Sequence, residues 1–446
     1  MTLPIISEWA KRKGIDIVTT GDWTHPLWLK ELEAELEEVN NGVYRLIRKK
    51  TTPNPLFLLS TEVAAIYSQG GKQRRIHLLL FAPNFAAVEK INKKLASLGA
   101  NLFSDGRPIL GMSARKVAQL VFEADERCLV IPAHAWTPWF SLYGSMSGFD
   151  SIEECFGDLA KFIYGIETGL SSDPAMNWRI RDLGSRAILS FSDAHSPAKL
   201  VREATVFELP EASYENIYKA IRLPGNLALG STKEKNPNSL TAQQPNDPRI
   251  AYTIEFYPEE GKYHYTGHRN CGVRHSPKET KRLGTICPVC KRQLTVGVMH
   301  RVEQLAAPQT QNTEVKTQKD KNSVKWIMHP GNNRPKYVML VPLLEILAET
   351  LESSTSSQKT IYEYKKLTDQ FENELSVLLR TKSEEIERLS GPKIMQALEK
   401  VRSGDIIVEP GFDGEYGKVK IWFSNTEAIE DKEDKPWDKN KQMGLF

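Results

Sequence analysis

Four of the nine histidines in this 446-residue sequence, His25, His77, His134 and His195, sit at or beside the ends of predicted strands. Acids share those places: Asp22, Glu62, Glu167 and Asp193. Imidazole and carboxylate donors without a thiolate suit a cluster of Zn²⁺, Mn²⁺ or Fe²⁺. Two or three such ions lower the pKa of a bridging water and offset charge on a phosphoryl group, so the chemistry to expect is metal-assisted phosphoester hydrolysis. Singly, each residue has an ordinary reading: a histidine after a strand is commonly a loop residue, and Asp22 can cap a following helix. Four histidines at successive strand ends, with acids alongside, are much harder to explain in that way.

A second constellation lies further along the chain. His268-x2-Cys271 and Cys287-x2-Cys290 have the spacing of a zinc ribbon or knuckle with a Cys₃His ligand set, and His264 or His275 could supply the imidazole instead. Four protein ligands make a closed, structural zinc site without a catalytic role. Between Lys262 and Arg301 there are nine Lys or Arg residues against one acid, Glu279, with Tyr263, Tyr265 and four histidines interleaved. Such a module is suited to gripping phosphates; the alternative is a structural staple whose lysines form a solvated face.

The elements that must position these groups point to an α/β fold. Predicted strands run over Ile15–Thr19, Leu56–Ser60, Ile76–Phe81, Leu129–Pro132, Phe162–Ile166 and Ala187–Phe191, with helices such as Ala86–Leu98 and Ala114–Glu123 between them. In parallel β/α architecture the strand C-termini form one rim, where residues distant in sequence converge. His77 is the exception, since it begins its run and needs another strand direction or a loop position. The predicted division is a metallophosphoesterase barrel over 1–230, a linker over 231–254, the Cys/His zinc module over 255–303 and a flexible linker over 304–338. A helical C-terminal domain with a hairpin would follow over 339–424, and a disordered tail over 425–446. Its helices are predicted over Leu340–Leu351, Ile361–Leu389 and Ile394–Val401, and its hairpin over Asp405–Phe423, turning at Gly411–Gly417.

Composition excludes several classes. Lys plus Arg is 59 and Asp plus Glu 56, a net charge of +3, so any nucleic-acid contact must come from a local patch rather than from the whole surface. Apolar residues at 40% and charged residues at 26% exclude a mainly disordered chain. No apolar run approaches a membrane span, and the first residues lack the order of a signal peptide, so the expectation is a cytoplasmic protein without a membrane partner. Five cysteines, an odd count, argue against a disulfide framework, and the isolated Cys128 and Cys155 are expected to be buried thiols.

Gly21-Asp22-Trp23-Thr24-His25-Pro26, Ser60-Thr61-Glu62-Val63, Arg75-Ile76-His77-Leu78-Leu79, Ala133-His134-Ala135-Trp136-Thr137-Pro138-Trp139 and Ser192-Asp193-Ala194-His195 together resemble the PHP (polymerase and histidinol phosphatase) phosphoesterases. Within that superfamily the chain is most similar to the endonuclease Q family of DNA-repair nucleases, over nearly its whole length, including the Cys/His segment and the run Glu409–Gly417. The resemblance implies a distorted (β/α) barrel in which His25, Glu62, His77, His134, Asp193 and His195 ligate two or three divalent metals, zinc, manganese or magnesium. Asp22 would stand beside them in the catalytic set, with Glu167 a further contributor. It also implies a substrate of DNA carrying uracil, hypoxanthine or an abasic site, incised on the 5′ side of the lesion. PHP proteins begin with a strand carrying a His-x-His pair, and this sequence has no histidine before His25. The expectation is that the start was placed too late, the alternative being an incomplete metal cluster.

Turning a damaged base into a pocket calls for aromatic surfaces, and Trp139, Phe140 and Tyr143 directly follow His134 as candidates for stacking on it; covering the rim as packing is their other reading. The terminal Gln442-Met443-Gly444-Leu445-Phe446 resembles the short peptides that dock on the bacterial sliding clamp, with Gln442, Leu445 and Phe446 as the binding residues. Two rival functions remain at this stage: a small-molecule PHP phosphatase, and a catalytically inactive DNA-binding adaptor.

Overall fold

The computed structural model describes residues 1–47, 55–104, 106–223, 247–308 and 314–422. Its central sheet contains β1 (Ile17–Thr19), β2 (Leu36–Asn40), β3 (Val43–Leu46), β4 (Leu56–Gln69), β5 (Lys72–Ala82), β6 (Ile109–Leu110) and β7 (Leu129–Pro132). The order is β2-β3-β4-β5-β7, with β1 and β6 both parallel to β4. β4 is largely buried over its first ten residues, apolar on either side of the polar Ser60-Thr61-Glu62, as a mostly covered strand carrying donors into a site must be. Helices Phe85–Ser97 and Ala114–Ala124 bury Val88, Ile91, Leu95, Val117, Leu120 and Val121, the apolar stripes that periodicity predicts.

The expected row of parallel strands is corrected at the centre of this sheet. The strand predicted to end at Ser60 continues to Gln69, turns at Gly70-Gly71 and returns as β5, antiparallel. Both glycines have positive φ, 61° and 71°, as a two-residue hairpin turn between right-twisted strands requires. The strand predicted to begin at Phe162 begins at Gly165: β8 (Gly165–Glu167) follows a 3₁₀ turn over Gly157–Phe162. β8 pairs in parallel with β9 (Ala187–Leu189) as a separate two-stranded sheet, and the described residues form no closed barrel.

β10 (Ala204–Glu208) and β11 (Arg249–Glu255) open a second sheet, so the last residues of the expected linker 231–254 are strand. After β12 (Thr266–His268) and β13 (Val273–His275), which belong to the Cys/His segment, the stretch 304–338 returns to that second sheet. There, β14 (Lys316–Lys319), β15 (Lys325–Met328) and β16 (Lys336–Met339) give the order β10-β11-β16-β15-β14, where a flexible linker was expected. The physical reason is composition: the edge strand β14, with a lysine at each end, is exposed throughout and carries no apolar signal, and β15, though apolar, is four residues long and only half-buried.

The C-terminal helices are Leu343–Thr350, Gln358–Gln370, Glu374–Leu379, Ser383–Ser390 and Pro392–Ser403, so the helix predicted over Ile361–Leu389 is broken into three. β17 (Ile407–Glu409) and β18 (Lys418–Lys420) then pair antiparallel. Cys128 and Cys155 are buried thiols. Among the described residues no helix is long and apolar enough to cross a membrane.

Helix Leu3–Lys13 packs on this C-terminal bundle. Gly14 ends it at φ 90°, and a side chain there would collide with Asn373, which caps the helix Glu374–Leu379. Lys13 and Glu374, both fully buried, form an ion pair of 2.6 Å, and Glu374 also accepts hydrogen bonds from the Leu343 amide and the Tyr364 hydroxyl. Removing one partner of a buried pair leaves an uncompensated charge, so Lys13→Met is expected to destabilise the protein by about 3–5 kcal/mol. The check is the urea unfolding midpoint; an unchanged midpoint would contradict a buried ion pair at this position.

Candidate metal centre

The hairpin register brings the first two donors together. Glu62 faces Leu79 and Ala64 faces His77, so Glu62 and His77 are diagonal neighbours on one face of the ladder. β7 pairs antiparallel with β5, Leu78 opposite Pro132, and the Ala133 amide donates to the His77 carbonyl at 3.1 Å, which delivers His134 beside them. Glu62 Oε1 lies 2.9 Å from His77 Nδ1 and 3.6 Å from His134 Nε2, and those two ring nitrogens are 3.1 Å apart. The convergence comes from antiparallel register, not from a rim of parallel strand ends, which is why His77 did not fit the sequence expectation.

One carboxylate oxygen and two imidazole nitrogens, all within 4.8 Å of one another, fit a divalent cation. The electrostatics agree. Burial would raise the Glu62 carboxyl, but hydrogen bonds with His134 and His77 outweigh it and hold the group well below the usual carboxylate range. Burial lowers His77, keeping the neutral imidazole that can act as a ligand, whereas contact with Glu62 overrides burial at His134 and raises it. Glu167, at the end of β8, is fully buried; burial pushes its pKa up to about 8, and its carboxylate accepts the His134 amide hydrogen bond at 2.7 Å.

The remaining sequence candidates line the same cavity of about 1070 Å³ without joining the three-donor group: His25, Asp193, His195 and Asp22, along with Glu167. His195 is exposed, its Nδ1 2.9 Å from the Asp193 carbonyl. Asp22 faces Gly106 so closely that a side chain on that glycine would lie under 3 Å from the carboxylate. Asp22, His134 and Asp193 all have left-handed backbones, φ 50°, 30° and 44°, an uncommon and strained state outside glycine. Aspartate and histidine tolerate that region better than most residue types, but type alone does not say which of them adopt it.

Sequence reasoning missed Arg107, whose Nη1 donates to both Glu62 oxygens at 3.2 Å, and Phe103, exposed at the cavity mouth against His25. Their connection carries no periodicity or motif that could have singled them out. Of the three aromatic candidates, Tyr143 is corrected: it is fully buried, stacked on Trp136 at 4.8 Å, and offers no face to a base. Phe140 packs on His77 at 4.7 Å, and Trp139 meets Tyr263 edge-on at 5.6 Å.

His268, Cys271, Cys287 and Cys290 come together within 4.8 Å, a donor set that fits tetrahedral zinc. Cys290 Sγ is 3.3 Å from His268 Nδ1. In both ligand pairs the residue after the second ligand, Gly272 after Cys271 and Lys291 after Cys290, has φ 62° and turns the chain around the ligand position. Burial would raise the Cys287 thiol, but hydrogen bonds, first from the Cys290 amide, bring it down to about 6, favouring the thiolate a metal needs. His264 is not in this group; it is buried with Nδ1 3.1 Å from the Pro258 carbonyl, and His275 is likewise buried outside the group. The clamp-peptide candidates Gln442, Leu445 and Phe446 lie outside the described residues.

Residues 342–405 match the family model described as the MJ0043 C-terminal domain. The chain is 30% identical over 295 residues to the uncharacterized protein MJ0043 of Methanocaldococcus jannaschii, covering 65% of this chain and 31% of that one, so it spans about a third of that relative. It is 28% identical over 424 residues to the uncharacterized protein YqxK of Bacillus subtilis, covering 93% of this chain and 91% of that one. The structure is similar to the lesion-specific endonuclease PfuEndoQ of Pyrococcus furiosus, with a TM-score of 0.72, 30% identity and coverage of 94% and 90%. It is also similar to endonuclease Q in complex with a 27-mer duplex bearing an abasic lesion at the active site, with a TM-score of 0.74, 30% identity and coverage of 96% and 95%.

Proposed function

Because the chain belongs to the endonuclease Q family, we propose that it is a metal-dependent endodeoxyribonuclease that nicks duplex DNA on the 5′ side of deaminated bases or abasic sites. The observation that carries the reading is the Glu62, His77 and His134 cluster at an open cavity, in a chain similar along nearly its whole length to a nuclease solved on a lesion-bearing duplex. Divalent ions held there would supply the water-activating and charge-neutralising chemistry that phosphodiester hydrolysis requires. Glu62 contributes the negative charge, His77 and His134 the neutral donors, and Glu167 orients His134 through its amide. The Cys/His segment, with nine Lys or Arg residues against one acid between Lys262 and Arg301, would hold backbone phosphates.

The test is cleavage of labelled duplexes containing one deoxyuridine, one deoxyinosine or one abasic site, with manganese, magnesium or zinc. A single nick 5′ of the lesion, abolished by chelator, is expected. Tight duplex binding without any nick, in protein holding fewer than two metals at the cavity, would instead identify a DNA-binding adaptor.

A further inference from the structure

Two side chains of the connection between helix Phe85–Ser97 and β6 line the cavity without an assigned role, Arg107 at Glu62 and Phe103 beside His25. Phe103 is the most exposed large apolar side chain among the described residues, at 72%, and it sits on the cavity lip. Arg107 is more than a third exposed and touches Glu62 through one nitrogen, at 3.2 Å to each oxygen. Strong arginine–carboxylate pairs are two-pronged and near 2.7–2.9 Å; a single-nitrogen contact at longer range is easily exchanged. Gly106, next to Arg107, lies directly against the Asp22 carboxylate on the cavity wall.

Glu62 cannot serve both cations fully. With a divalent ion held on its oxygens, Glu62 would release the Arg107 guanidinium, leaving two positive groups at one opening. That arrangement is favourable only if an anion lies between them, and a phosphate, which arginine binds with its planar fork of donors, is the anion that fits. Resting on the nuclease reading above, we propose that Arg107 exchanges Glu62 for the phosphodiester when metal binds, and that Phe103 stacks on the adjoining nucleotide at the lip. Phe103 is then the base-contacting aromatic that the buried Tyr143 cannot be.

The experiment compares wild type, Arg107→Ala, Arg107→Lys and Phe103→Ala as full chains. In manganese titration without DNA, followed by calorimetry, Arg107→Ala is expected to bind the cavity ion several-fold more tightly, because a competitor for Glu62 is gone. Weaker or unchanged manganese binding overturns the exchange, since a merely structural arginine would support the ligand. Binding of inorganic phosphate to the manganese-loaded protein is expected to weaken about 10-fold in Arg107→Ala and less in Arg107→Lys; unchanged binding overturns the phosphate assignment. On lesion duplex, Arg107→Ala should lower kcat/KM by roughly 100-fold and reduce the salt slope of binding by about one. Phe103→Ala should raise KM about 10-fold with kcat within two-fold, and an unchanged KM removes Phe103 from the proposal. If wild type nicks no lesion duplex, the nuclease reading fails, while the metal and phosphate titrations still decide the Arg107 exchange.

Discussion

Glu62→Gln is expected to empty the cavity of metal and to lower lesion-dependent nicking by on the order of 1000-fold or more. Glu62 is the only carboxylate of the three convergent donors, so the amide keeps the shape and loses the charge. The two imidazole nitrogens, 3.1 Å apart, are then left without an anionic partner, and a neutral amide oxygen is a poor ligand for a hard divalent ion. A metal centre contributes several kcal/mol to phosphoester hydrolysis, and each 1.36 kcal/mol is tenfold in rate. The Glu62 side chain is mostly buried, but the amide keeps its shape and volume, so the fold should be retained. The check is elemental analysis of manganese per chain beside single-turnover rates on an abasic duplex. A variant that keeps its cavity metal and nicks within tenfold of wild type would show that the centre is not built on Glu62.

Cys287→Ser is expected to strip the zinc and unfold the Cys/His module. The module has almost no core of its own: Val273, Cys287 and Leu294 are its buried cluster, with Cys271 packed against it. So small a core cannot offset the entropy of ordering some 40 residues, and a metal held by the four donors would supply the difference. Structural zinc binding is worth about 10–16 kcal/mol, and that energy is folding energy for such a module. The loss should spread, because Asp413 accepts hydrogen bonds from the Arg269 amide at 2.8 Å and the Thr295 hydroxyl at 2.6 Å, and Tyr265 donates to the Gly411 carbonyl at 2.9 Å. With the module open, the turn over Gly411–Gly417 loses its seat. Zinc content should fall from one per chain to none, trypsin should cut within 262–297, and duplex affinity should drop at least tenfold. Helix Val298–Leu305 should hold, because Val298 and Val302 belong to the main core. Retained zinc and protease resistance would count against a Cys₃His site.

The convergence of His268, Cys271, Cys287 and Cys290 was legible in the sequence because its geometry is local: two x2 spacings and two tight turns leave little freedom in where the donors point. Glu62, His77 and His134 could be singled out as candidates because imidazoles and carboxylates beside apolar runs are few, and the structure brings these three together, whereas His25, Asp193 and His195, named with them on the family resemblance, do not join the group. The helices of the first half were legible in their apolar stripe. The polar second sheet was not, because edge strands such as Lys316–Lys319 bury nothing and leave no pattern to read.

What the sequence by itself determined about this protein is therefore its donor chemistry and the parts held by short-range constraints. Only the tertiary structure decided which donors meet. The Gly70-Gly71 turn sets a register that puts Glu62 beside His77, and β7 adds His134, whereas His25, Asp193 and His195 stay on the cavity wall. It decided that Arg107 faces Glu62 and that Tyr143 is buried, contacts made between segments some 45 residues apart or through a full side-chain packing. Pairing register and left-handed backbone at Asp22, His134 and Asp193 are set by the sum of many weak contacts, and no single residue type encodes such a sum.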